Sequence, residues 1–359
     1  MPVIWAAISG HGYGHAAQVV PVLNKLGTLV PNLKAVLRTT VPGSFFQDRL
    51  TIPWDVQAVR QDVGCVQKGP LQIDIPATWE GHTRFHAQWE QRVEQEVSAL
   101  KSAGPQVILA DTPYLAVCAG DAAGTPTIAL ANFTWNEVLE SFADPHQPHH
   151  QAILAAIRQS YGHADLALRI TPGLALASCS KVLDIGPIAE PAPSRRQELR
   201  EHLHLDPTEQ VVLIGFGGIP LTSLPWDQMK QMLGYHFIVD GISVQSSPRI
   251  HSLSTLPFSF KTLLASVDIV MTKPGYGTIV EAVALGLGVI YVRRYNFADE
   301  APLVSFLHQY GRGHELSLAD FSSGHWQPAL EAIRHAPTAL TPPPCTGADD
   351  AARQLVRYF

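Results

Sequence analysis

The sequence predicts an α/β protein made of two open parallel sheets joined by a proline-rich hinge. Three observations carry that prediction. Short apolar runs alternate with longer amphipathic segments, the pattern of buried parallel strands joined by helices. A proline-rich stretch at 186–196 (GPIAEPAPSRR) interrupts the pattern, and the alternation restarts beyond it. Each half also holds one glycine-rich strand-to-helix turn, Gly10-His11-Gly12-Tyr13-Gly14-His15 and Gly275-Tyr276-Gly277-Thr278.

In chain order, residues 3–8 (VIWAAI) read as the first strand, and apolar runs at 35–37, 107–110, 127–130 and 166–168 extend its sheet. Residues 15–26 read as the helix after the first turn. Residues 79–103 read as one amphipathic helix ended by Gly104-Pro105. Beyond the linker come a short helix at 195–203, a strand at 211–216 and a turn at Gly217-Gly218. Strands at 237–239, 269–271 and 289–292 follow, with a helix at 278–285 between the last two. Pro342, Pro343 and Pro344 isolate a final helix at 348–358. The expected division is a first domain at 1–186, a linker at 187–196, a second domain at 197–345, and a C-terminal helix within 346–359 packing back on the first domain.

The chain has 359 residues, 46% hydrophobic and 16% charged, which suffices for two cores and excludes disorder as the main state. Net charge is −6 with histidine neutral, and no Lys/Arg-rich run occurs, which argues against a nucleic-acid binder. The four cysteines form no C-x-x-C pair. The N-terminus enters a strand without the basic start and apolar core of a signal peptide, and no apolar run reaches the ~20 residues of a membrane span. A cytoplasmic protein, monomeric or homodimeric, is expected, with no metal and no cofactor.

The first turn follows a strand and opens a helix, so Gly12 and Gly14 let a ligand approach the backbone where free N–H groups point outward. Its G-x-G-x-G spacing is not the dinucleotide fingerprint, and no G-x-x-x-x-G-K-[ST] loop occurs. His15 and His11 flank the turn, and histidine is the side chain best suited to proton transfer near neutral pH. Each either serves as a base or fills polar space. Asp111, ending another strand at the same sheet edge, either orients His15 or caps the next helix.

The second turn runs from Lys273 and Pro274 into a helix N-terminus suited to a diphosphate, with the Thr278 hydroxyl as a further donor. Glu281 either accepts hydrogen bonds from a ribose diol or closes a capping box with Thr278. Asp299 and Glu300, on a following loop, can accept the hydroxyl donors of a sugar, or simply be solvated there. Arg293 and Arg294 either offset phosphate or pair with those carboxylates. His146, His149 and His150 read as solvated loop residues, and Trp79 and Trp135 either stack on a sugar or pack.

Taken in order, these motifs resemble the GT-B glycosyltransferases, whose two Rossmann-like domains face each other across a cleft. Gly10 to His15 is similar to the N-terminal turn of the bacterial peptidoglycan N-acetylglucosaminyltransferase. The run from Lys273 to Glu281 with Asp299-Glu300 resembles the nucleotide-sugar signature of that enzyme and of plant glucosyltransferases. A closer resemblance is to the glycosyltransferase-like N-terminal region of plant arabinose kinases and its bacterial relatives. Ser9 to His15, Asn132-Phe133-Thr134-Trp135, Gly275 to Thr278, the run 292–302 and Gly324-His325-Trp326 carry it.

The resemblance implies an inverting, metal-independent transfer from a nucleotide-diphosphate sugar, with UDP-sugar as the expected donor and an unknown hydroxyl acceptor. It implies His15 as base and Asp111 as its partner, with the extra His11 an alternative base or acceptor ligand. It implies Gly217 and Gly218 beside the donor phosphates, and Phe258, Ser259 and Phe260 against the base. Glu300 departs from the Gln usual in the plant pattern. A nucleotide-sugar epimerase or hydrolase on this fold, or a non-catalytic sugar-nucleotide sensor, are the competing functions.

Overall fold

The computed structural model describes residues 1–217, 221, 223–242, 247–337 and 340–359. Two sheets form, and every pairing within them is parallel. The first contains β1 (Val3–Ile8), β2 (Lys34–Arg38), β3 (Trp54–Gln57), β4 (Val107–Asp111), β5 (Thr127–Ala131), β6 (Leu166–Ile170) and β7 (Val182–Ile185). The second contains β8 (Gln210–Ile214), β9 (Tyr235–Val239), β10 (Ile250–Ser252), β11 (Ile269–Thr272), β12 (Gly288–Tyr291) and β13 (Arg312–Glu315). The expected two-sheet α/β architecture is therefore present.

Strand order fixes where a ligand can sit. The orders are β3-β2-β1-β4-β5-β6-β7 and β10-β9-β8-β11-β12-β13. Each sheet grows outward on one side and then reverses, so crossovers part between β1 and β4 and between β8 and β11. A crevice opens at the carboxyl ends of such strands. β1 ends at the first glycine-rich turn, β4 ends in Asp111, β8 runs on to Gly217, and β11 leads to the second glycine-rich turn. The four central strands are apolar and almost wholly buried, so the turns they carry are rigidly placed.

Three expectations for the elements are corrected. Residues 79–103 are two helices, Ile75–His86 and Trp89–Ala103, broken at Ala87-Gln88. The aromatic side chains on either side still gather together, because His86 and Trp89 stack on Tyr114 and Phe85 meets it edge-on across the break. The donor-side helix begins at Tyr276 with Gly275 as its N-cap, two residues before Thr278, so Thr278 caps nothing and the capping box with Glu281 does not form. His150 is buried and stacks on Trp79 at 3.8 Å, so it is not a solvated loop residue.

The halves are joined in three ways. The helices opened by the two glycine-rich turns, Gly14–Leu29 and Tyr276–Leu285, pack against each other. The last helix, Gly347–Leu355, returns to pack on Gly14–Leu29, and Lys25 pairs with Asp349 at 3.2 Å. At the crossing, Gly347 N–H donates to Pro187 O at 3.0 Å and Gly186 N–H donates to Asp350 Oδ2 at 3.1 Å. The chain thus crosses between halves twice, side by side.

Candidate functional site

The two switch points share one cavity of about 470 Å³. From the first half it is lined by Gly10 to His15, Gln18, Cys65, Gln67, Asn132 and Phe133. From the second it is lined by Gly217, Lys273 to Thr278, Arg294, Phe297 and Asp299. The packed pair of helices explains the convergence, because both N-termini open onto the same space.

His15 and Asp111 meet. Ile8 lies opposite Asp111 in the β1–β4 register, which sets the start of the first turn beside that carboxylate. His15 Nδ1 lies 2.9 Å from Asp111 Oδ1. A carboxylate oxygen accepts, so Nδ1 carries the proton and Nε2 is left as the basic atom toward the cavity. Asp111 does not cap the following helix, whose N-cap is Pro113. Burial alone would lower the His15 pKa, but Asp111, with help from Asp62 and Asp299, overcomes it and raises it above the ordinary value. Phe133 stands edge-on to His15, with ring centroids 5.7 Å apart, and limits its rotation.

Asp62 escaped the sequence reading, for it lies in a loop with no motif around it. It is buried, accepts from Trp135 Nε1 at 2.8 Å, and adds a second carboxylate beside His15. Trp135 is wholly buried, which settles its role as packing; Trp79 is likewise buried and donates to Phe142 O at 3.1 Å.

His11 is held differently. Its ring stands edge-on to Trp135 at 5.3 Å, and its Nε2 lies 3.1 Å from the Gln67 amide nitrogen. Gly64 leaves room for it, since a Cβ there would sit 2.7 Å from His11 Nδ1. Burial, with the charges of His15, Lys273 and Arg294, lowers its pKa to about 3. His11 is therefore a neutral polar wall and a weak base.

The second turn is open where a ligand must approach. A Cβ on Gly277 would meet nothing within 4 Å, and one on Gly275 only Lys273 O at 3.9 Å. Gly12 and Gly217 hold φ of 83° and 70°, so each needs glycine for its backbone. Lys273 is buried against Gly217, and burial with nearby Arg294 lowers its pKa to about 8. Gly218 lies outside the described residues.

The two adjacent carboxylates have separate fates. Asp299 lines the cavity, and its Oδ1 is buried with no hydrogen-bond partner among the described residues. Burial raises its pKa to about 7, with Glu300 adding to the rise and Arg294 opposing it. Glu300 is wholly buried and bonds Arg294 Nε at 2.6 Å and the backbone N–H of Arg294 at 3.1 Å. It holds the loop together and does not line the cavity, correcting the expectation that both carboxylates face a ligand.

Other expected donor-side residues also lie outside the cavity lining. Glu281 pairs with Lys261 at 3.1 Å. Phe258 packs against His202 and Arg195, Ser259 caps the helix Phe260–Leu264, and Phe260 fills the space that Gly215 leaves. Tyr276 lines the cavity, yet its hydroxyl donates to Thr171 O at 2.9 Å and accepts from Ile188 N–H at 3.0 Å. It therefore pins the linker and both halves together.

No family model matches the chain. Over 330 residues it is 27% identical to the L-arabinokinase of Arabidopsis thaliana, a match covering 90% of this chain and 31% of that protein. The chain therefore spans about a third of that relative's length. Among solved structures it is similar to the glycotransferase of kitacinnamycin, with a TM-score of 0.65 and 14% identity over 99% of this chain and 96% of that one. It is similar to CalG4, the calicheamicin glycosyltransferase, with a TM-score of 0.63 and 14% identity over 99% and 93%. It is also similar to UGT2 of Phytolacca americana, solved with UDP-2-fluoro-glucose and pterostilbene, with a TM-score of 0.63 and 13% identity over 100% and 94%. The fold is that of the GT-B glycosyltransferases.

Proposed function

We propose that this GT-B chain is a glycosyltransferase that moves a sugar from a UDP-sugar to an acceptor hydroxyl with inversion. One observation carries the reading: a carboxylate-oriented histidine and an open, glycine-lined helix N-terminus face the same cavity from opposite halves. Residues 1–186 form the acceptor side and 197–345 the donor side.

In this reading the helix Tyr276–Leu285 and Lys273 hold the diphosphate. They supply, without a metal, the positive charge that the departing nucleoside diphosphate requires. His15 Nε2 removes the acceptor proton as the acceptor oxygen attacks the anomeric carbon. The bond from that carbon to the diphosphate breaks, and Asp111 stabilises the imidazolium formed. Asp299 accepts a hydrogen bond from a sugar hydroxyl.

Nucleotide binding is the first test. UDP is expected to raise the melting temperature more than other nucleoside diphosphates at equal concentration, by mass action. A chain that no nucleotide stabilises does not fit this reading. With the donor found, His15→Ala is expected to lose roughly 10²- to 10⁴-fold in kcat, the usual contribution of a positioned base, and His11→Ala much less. Equal turnover in His15→Ala and the parent would remove His15 as base.

A further inference from the structure

The two halves exchange apolar side chains across the cleft. Phe297, on the loop between β12 and the helix Glu300–Tyr310, is only 6% exposed. It is buried in the first-half core that also contains Tyr114, Phe133 and Trp135, and among the described residues it is the one member of that core from beyond residue 186. Leu71 does the reverse: it leaves the first half to pack against the second-half core that contains Phe216 and Trp326. Next to Phe297, the Ser141 hydroxyl, whose nearer partner is Val138 O at 2.8 Å, also lies 3.3 Å from Asn296 O. Each of the two apolar side chains leaves water only when the halves adjoin, so their burial favours the joined arrangement.

Phe297 reaches the proposed base through one intermediate. Its ring meets Phe133 edge-on, with centroids 6.0 Å apart, and Phe133 in turn meets His15 edge-on at 5.7 Å. Such contacts are directional, so a shift of one ring changes the support of the next. The same loop carries two groups that line the cavity, Arg294 and Asp299. The Arg294 guanidinium lies over the Phe297 ring, 4.1 Å from its centre, and is bonded to Glu300. The loop is thus braced as one piece, and the position of the Phe297 ring sets where its cavity-lining groups sit.

We infer that Phe297 is a positioning residue that acts from the second half on the base of the first. Docked, it wedges Phe133 against His15 and seats Arg294 and Asp299 at the cavity; withdrawn, it releases all three. The histidine is then fully oriented only when the donor half is in place. The inference rests on the glycosyl-transfer reading for the role of His15, and it supplies a physical link between the two sides of that site.

The test reads the two sides separately on the full chain. On the base side, NMR of isotope-labelled histidine follows the Nδ1 proton that His15 donates to Asp111. Sheltered from water, it should give a resonance in the parent that His15→Ala lacks, which assigns it. In Phe297→Ala the resonance is expected to broaden or vanish, and in Phe297→Leu, which refills the space, to persist. Phe258→Ala is the control: it removes a second-half ring that is also 6% exposed but lies outside the cavity lining, and it should leave the resonance in place. On the donor side, calorimetric titration is expected to show UDP binding Phe297→Ala at least about 5-fold more weakly than the parent. Thermal melts show whether each variant is folded; if Phe297→Ala is not, Phe297→Val is read in its place. An unchanged His15 resonance, an equal loss in Phe258→Ala, or unchanged affinity where the parent binds UDP would overturn the inference. Loss of the resonance in Phe297→Ala, in a chain that ignores UDP, would support the contact with His15 and refute the donor reading instead.

Discussion

At the scale of single residues, His15 does its proposed work only when unprotonated, and its surroundings favour the proton. Its pKa is raised, so the basic form is gained only as pH climbs past the ordinary value of about 6.5. The acid limb of kcat/KM against pH is therefore expected above that value. In Asp111→Asn the main raising influence is gone and burial remains. The limb should then shift to lower pH, while kcat falls by roughly 10²-fold or more. A pH–rate profile of both proteins checks this, and an unmoved limb would contradict it. Lys273 gives the opposite sign. Its amine is charged below about 8, so UDP affinity should decline as pH rises through that value, and Lys273→Met should flatten the decline; calorimetric titration at several pH values measures both.

The pairing of His15 with Asp111 was readable because Asp111 ends one strand and His15 follows the turn after another, and a doubly wound sheet brings both to one edge. The fate of Asp299 and Glu300 was not. Neighbouring residues at a helix start point about 100° apart, and only the fold decides which carboxylate faces the cavity and which is spent on Arg294. Asp62 offered no sequence signal, since its importance comes from Trp135 and His15, both distant along the chain.

At the scale of elements, the helix Tyr276–Leu285 begins on glycines for two separable reasons, the fold and the ligand. Gly277 has an ordinary φ, and an added Cβ would meet nothing. Gly277→Val should therefore fold with a melting temperature close to the parent's, yet fill the cavity mouth and weaken UDP at least about 10-fold. A thermal melt and a UDP titration on one sample separate these effects; unchanged UDP affinity would show that the turn does not receive the nucleotide. The central strands were legible because burial on both faces makes them continuous apolar runs. The edge strands β3, β7, β10 and β13 (WDVQ, VLDI, IHS and RGHE) were missed because half-exposed edges carry polar residues that break any apolar run. The break at Ala87-Gln88 was missed because the aromatic stripe continues across it.

At the scale of the whole molecule, the proline-rich linker and the last helix both announced themselves in the sequence, whereas their contact did not. It depends on two glycines far apart in the chain. A Cβ on Gly347 would lie 2.2 Å from Gly186 O and 2.6 Å from Ile188 Cγ1. Since backbone must move, Gly347→Ala should push the last helix off the crossing and destabilise the chain by about 1–3 kcal/mol, the range for overpacking. A lowered melting temperature is the expected result, and an unchanged one would show that the crossing yields readily.

The doubled crossing has a mechanical consequence. A body tethered at one point can tumble, whereas one tethered at two adjacent points is largely restricted to turning about the line through them. The two halves should therefore swing as the covers of a book do about its spine, along a single angular coordinate. That angle sets the separation of His15 from the Gly277 turn, while the partners within each half stay in register. Ligand entry and the assembly of the reacting groups then become two readings of one angle.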